Sequence, residues 1–104
     1  MHDELRAYLR EVQDLECAPL LEMLVTRVAD LDAALDAEVG AFGVRFVRGG
    51  VTLCEFSVFG ELFIARVGSD HAVEYRVRSR AVALAALDHV LRESIAMREV
   101  PTAP

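Results

Sequence analysis

Lysine and asparagine are both missing from the 104 residues, so all 11 basic side chains are Arg. This Ala-, Val- and Arg-heavy usage points to a GC-rich, bacterial gene. Cysteine occurs twice, at Cys17 and Cys54, with no CxxC and no Cys/His cluster of metal-ligand spacing. In a chain without an export signal the reducing cytosol disfavours a disulfide, and both cysteines read as small buried hydrophobes. Long apolar runs are also missing. The longest, Ala81 to Leu87, is seven residues, whereas a membrane-spanning helix needs about 20, and a signal h-region sits behind positive charge near the N-terminus. The expected product is soluble and cytoplasmic, with no membrane contact.

What is present is an acidic domain. There are 17 acidic side chains against the 11 Arg, a formal net charge of -6, and 54% of residues are apolar. That length and balance fit one globular domain, 1–104, and exclude intrinsic disorder. Residues 1–40 carry ten acids and three Arg, and residues 41–80 four acids and six Arg. Hydrophobic periodicity changes near the same boundaries, from helical spacing to alternation and back.

In the first part, Leu5, Leu9, Val12 and Leu15 fall on one helical face. Pro19 predicts a stop or kink near Glu16 to Ala18. A second helix follows with Leu21, Leu24, Val28, Leu31 and Leu35 as its seam, and Gly40 as its stop, so 1–39 is predicted helical. Over 41–78 the apolar residues alternate. Gly49-Gly50, Gly60 and Gly68-Ser69-Asp70 then delimit a four-stranded antiparallel meander. A three-residue Arg48-Gly49-Gly50 loop with a bulge is preferred for the first turn, setting Phe46 opposite Thr52, Val44 opposite Cys54 and Phe42 opposite Phe56, because a two-residue turn would set Val44 against Glu55. The later turns set Glu55 opposite Arg66, Phe56 opposite Ala65, and Ala65 opposite Tyr75.

The predicted inner face comprises Phe42, Val44, Phe46, Cys54, Phe56, Val58, Phe63, Ala65, Val67, Val73, Tyr75 and Val77. The outer face carries a charge ladder of Arg45, Glu55, Arg66, Glu74, Arg76 and Arg78, with Leu53, Phe59, Leu62 and Ile64 as an apolar group beside it. Ser79 N-caps a C-terminal helix over 79–98, with Leu84, Leu87, Leu91 and Ile95 as its buried stripe and 99–104 as a tail. The fold class is therefore α+β: two N-terminal helices, the four-stranded meander, and a C-terminal helix packed on one face of the sheet.

No catalytic constellation emerges. Ser69, Asp70 and His71 are adjacent in one tight loop and cannot align as nucleophile, base and orienter, so turn chemistry explains them. Asp88 and His89 point about 100° apart on a helix and make no ligand pair, and His2 lies at the terminus. The segment Arg48-Gly49-Gly50 joins strands, so it lacks the helix N-terminus of a phosphate cradle. No enzyme activity, cofactor or metal is expected.

The leading functional expectation is a non-enzymatic interaction module of adaptor or chaperone type. It forms a homodimer or binds a protein partner through Leu53, Phe59, Leu62 and Ile64, because contiguous apolar patches are uncommon on monomers. The alternative is single-stranded nucleic-acid binding through Arg45, Phe59, Arg76 and Arg78. The net charge of -6 and the Glu55 and Glu74 partners favour a self-neutralising ladder over that reading.

Overall fold

A computed structural model describes residues 3–99. The elements are α1 (Asp3–Glu11), α2 (Ala18–Ala29), β1 (Asp36–Val39), β2 (Gly43–Arg48), β3 (Val51–Phe59), β4 (Leu62–Val67), β5 (Val73–Arg76) and α3 (Arg80–Glu99). The class is α+β, and the sheet is an antiparallel meander in the order β1-β2-β3-β4-β5. Helix α2 lies beside α3; α3 packs on β3, β4 and β5, α2 on β2, and α1 against β1. No helix among the described residues is long and apolar enough to cross a membrane. The tail after Glu99 and His2 lie outside the described residues.

Helix α1 ends at Glu11, earlier than its apolar spacing implies. Beyond it, Gln13, Leu15 and Ala18 donate i to i−3 hydrogen bonds, a run of tight turns leading into α2. Tyr8 joins Leu5 in the core, while Leu15 is exposed. Pro19 sits in the first turn of α2, where its missing N–H is no loss. Leu21, Leu24, Val25 and Val28 are its buried face.

The sheet has five strands, where the alternation pattern indicates four. Residues assigned to the end of the second helix unwind after Asp30: Leu31 donates to Val28, Leu35 donates to Asp32, and the Asp32 carboxylate accepts the Ala34 N–H at 2.9 Å. These turns redirect the chain into β1. Asp competes for backbone groups in this way and favours turns over helix interiors. Gly40 therefore closes the β1–β2 connection, its N–H donating to Gly43 O at 2.8 Å, and does not cap a helix. Leu31 and Leu35 still pack on the core, from turns.

The first hairpin also differs from expectation. Arg48 pairs with Val51, so Gly49-Gly50 is a two-residue turn, with φ values of 56° and 81° that suit glycine. A bulge at Leu53 then absorbs one residue, because Val47 faces Thr52 while Phe46 faces Cys54. Val44 accordingly meets Phe56 and Phe46 meets Cys54, each two residues beyond the expected Cys54 and Thr52, so the same face stays inward although the expected pairs do not form. The β3–β4 and β4–β5 registers match the alternation: Phe56 faces Ala65, Cys54 faces Val67, Glu55 faces Arg66, and Ala65 faces Tyr75.

The core lies between the inner sheet face and the helices. Phe46, Phe56 and Phe63 meet edge-on, with centroids 6.1 and 6.4 Å apart. Ser79 Oγ accepts the Val82 N–H at 3.3 Å, capping α3. The buried face of α3 is Ala83, Ala86, Leu87, Val90 and Ser94. Of the predicted stripe only Leu87 is buried, whereas Leu84, Leu91 and Ile95 are exposed. Small side chains let the helix approach the sheet closely, so packing distance set the rotation.

Candidate functional site

With α2 and α3 on the inner face, the outer face of the sheet is left open. Registers across the strands bring Glu38, Arg45, Glu55, Arg66 and Glu74 into one row, each opposite the next. The charges alternate across the full width of the sheet. Arg45 binds Glu38 at 2.7 Å, a contact that holds its guanidinium above its usual pKa, and Arg66 meets Glu74 at 3.4 Å. Both pairs are about half exposed, and such pairs add little stability in water. Two expected members of the ladder fall outside this row, since Arg76 lies opposite Ile64 and Arg78 follows the end of β5. Glu38 joins it because residues 36–39 form a strand and not the end of a helix.

An apolar group adjoins this row. Phe59, Leu62 and Ile64 lie on the outer face as expected; Phe59 is 48% exposed, and Leu62 and Ile64 are half-buried. Leu53 does not belong with them. At 1% exposure it is a core residue, since the bulge lets Leu53 and its neighbour Cys54 both face inward. Phe42, assigned to the inner face, takes its place outside: it is 61% exposed, and its ring lies 5.0 Å from that of Phe59. Val73 and Tyr75 keep their inner-face registers, but Val73 is exposed and Tyr75 half-buried.

Gly43 makes the corner beneath Phe42 possible. A Cβ there would stand 1.8 Å from the Phe56 carbonyl oxygen, so only glycine fits. An open cleft of about 450 Å³ lies over it, lined by Glu38, Phe42, Arg45, Glu55, Ser57 and Phe59 among others. No hydrogen bond among the described residues joins Ser57 to a base. A second cleft, about 540 Å³, lies between the start of α2 and the β3–β4 turn and includes Cys17, Leu62 and Arg78. Burial raises the Cys17 thiol pKa, which disfavours its thiolate. Cys54 is fully buried, and its thiol is pushed up more strongly by the same cause.

The remaining polar residues are dispersed. Ser69, Asp70 and His71 are exposed in the β4–β5 loop. His89 does find partners that adjacency to Asp88 did not suggest: Tyr75 Oη at 2.9 Å from Nδ1, and Glu93 at 3.3 Å from Nε2. The i, i+4 spacing of His89 and Glu93 was the available signal. Tyr75 needed the tertiary fold. No group of His, Cys, Asp and Glu able to hold a metal occurs among the described residues.

Arg45, Arg76 and Arg78, the nucleic-acid candidates, are exposed, but Arg45 is engaged by Glu38. Arg48, also basic, is bound to Asp32 at 3.0 Å. Comparisons with protein families, curated proteins and solved structures return no match.

Proposed function

We propose that the chain is a non-enzymatic interaction module whose outer sheet face packs against that of a second copy. The observation that carries this reading is the one-sided sheet: both long helices cover one face, and Phe42, Phe59, Leu62 and Ile64 gather on the other. The alternating row beside them is self-complementary, because a copy displaced by one strand sets Arg over Glu. Opposite charges fix register, and the apolar group supplies the driving force.

Sedimentation equilibrium of the wild type and Leu62→Glu, at high micromolar concentration, tests the reading. A carboxylate in the apolar group must lose its water without a partner. The variant is expected to keep its circular dichroism spectrum while its particle mass halves. Equal masses overturn the face contact. Nucleic-acid binding is the second reading, favoured by the added aromatic Phe42 and by the exposed Arg76 and Arg78. It requires oligonucleotide binding at low salt that weakens steeply as salt rises.

A further inference from the structure

We propose that strand β5 pairs edge to edge with β5 of a second copy, antiparallel, with Tyr75 opposite Tyr75 on the two-fold axis. This contact is separate from the outer-face contact above and does not depend on it.

The argument starts with the backbone. Val77 N–H donates to Phe63 O at 2.8 Å, and Tyr75 and Val73 pair with Ala65 and Val67. In an antiparallel ladder successive residues alternate between bonding one neighbour and facing the other way. Glu74 and Arg76 therefore direct their N–H and C=O groups away from β4, along the free edge of the sheet. Such an edge is a template for another strand.

The side chains select the register. With Tyr75 on the axis, Glu74 lies opposite Arg76 of the second copy and Arg76 opposite its Glu74. Each copy donates the N–H groups of both residues to the other. The neighbouring registers set Glu74 against Glu74 or Arg76 against Arg76, which repel. Among the described residues Arg76 has no ion-pair partner, so its charge is available. The row Glu38, Arg45, Glu55, Arg66, Glu74 continues without a break in alternation into Arg76 of the second copy. On the inner side, Val73, 44% exposed, comes opposite the buried Val77.

The other edge is unsuited to the same use. Self-pairing of β1 would bring together Asp36 and Glu38, and α1 packs beside that strand. Edge pairing is thus confined to β5, and it closes after two copies.

The test uses charge exchange. Glu74→Arg and Arg76→Glu each place like charges opposite one another and should weaken the edge contact about tenfold or more, at constant circular dichroism. An equimolar mixture of the two variants restores both opposite-charge pairs and should recover the wild-type affinity as a mixed pair. Both arms are repeated with Leu62→Glu added, which removes the outer-face contact. In that background the protein is expected as a dimer, each charge variant as a monomer, and their mixture as a dimer again. A Leu62→Glu protein that is monomeric beside a dimeric wild type overturns the edge contact and leaves the outer-face reading standing, and charge variants that still pair in that background overturn the edge contact. A wild type and a Leu62→Glu protein that are both dimers, with the charge variants monomeric, overturns the outer-face reading and leaves the edge contact standing.

Discussion

Phe42 and Phe59 stack with ring centroids 5.0 Å apart and planes tilted by 33°, at the end of the outer sheet face. Each ring is more exposed than its neighbours in the patch, so the pair covers part of its own apolar surface. The sheet core does not need it. Phe59→Ala should therefore lower unfolding stability by no more than about 1.5 kcal/mol, while weakening outer-face association. Urea unfolding and sedimentation of the same sample separate the two effects.

Phe56 is a different case. It is buried between Phe46 and Phe63, and Phe56→Ala removes an aromatic ring from the centre of the core. The expected cost is about 3–5 kcal/mol, a large part of the 5–15 kcal/mol or so typical of a domain. Chemical denaturation should show a much lower midpoint, or an unfolded protein. A midpoint close to wild type would mean that the sheet is inside out.

Gly43→Ala should be among the most damaging small substitutions in the chain. The added Cβ meets a backbone carbonyl, not the end of a flexible side chain, so β2 and β3 must separate. A loss at or above the upper end of about 1–3 kcal/mol is expected. Thermal unfolding of Gly43→Ala beside Gly49→Ala distinguishes this clash from the milder turn strain at Gly49, where the space is open and only φ is unfavourable.

Cys54 links stability to alkaline pH. Burial raises its thiol pKa well above the ordinary value of 9.0, so the folded state resists thiolate formation and the unfolded state does not. Stability is then fully present below about pH 9 and falls as pH rises above it toward the raised value. Cys54→Ala should flatten this decline in denaturant midpoints taken at increasing pH. In native protein at neutral pH, a thiol reagent should modify Cys17 before Cys54.

His89 ties β5 to α3 through Tyr75. A hydrogen bond of this kind contributes about 0.5–1.5 kcal/mol. Tyr75→Phe and His89→Ala, made singly and together, should show a coupling of that order in a double-mutant cycle. Additive losses would show that the 2.9 Å contact contributes nothing.

The parts of the fold that were legible in the sequence are those fixed by local chemistry. Gly60 marks a turn, and two alternating strands on either side of it have only one register that puts Phe56 with Ala65 and Glu55 with Arg66. Ser79 before an apolar helix reads as a cap. The parts that were not legible depend on competition between distant segments. Asp36 to Val39 has little strand character of its own and becomes β1 because Gly43 to Arg48 presents an edge to it. The face of α3 turned on size: Leu84, Leu91 and Ile95 are the more hydrophobic residues, but Ala83 and Ala86 permit the closer approach. In the candidate site, Phe59, Leu62 and Ile64 followed from alternation. Leu53 left the group and Phe42 entered it because the bulge and the Gly43 corner break alternation at those two points.

The bulge at Leu53 has a bearing on which length changes the gene can accept. Because Leu53 is the residue that the hairpin absorbs, its removal leaves Phe46 beside Cys54, Val44 beside Phe56 and every later pair as it was. The loss is one buried leucine, without a change of phase. Removing a single residue from Glu55 to Val58 can use that outlet only if every residue between Leu53 and the gap moves one place along, which turns Cys54 outward and exchanges core and surface over that stretch. Single-residue deletions scanned along this strand should therefore be read as two populations, a tolerated one at the bulge and an unfolded one beyond it.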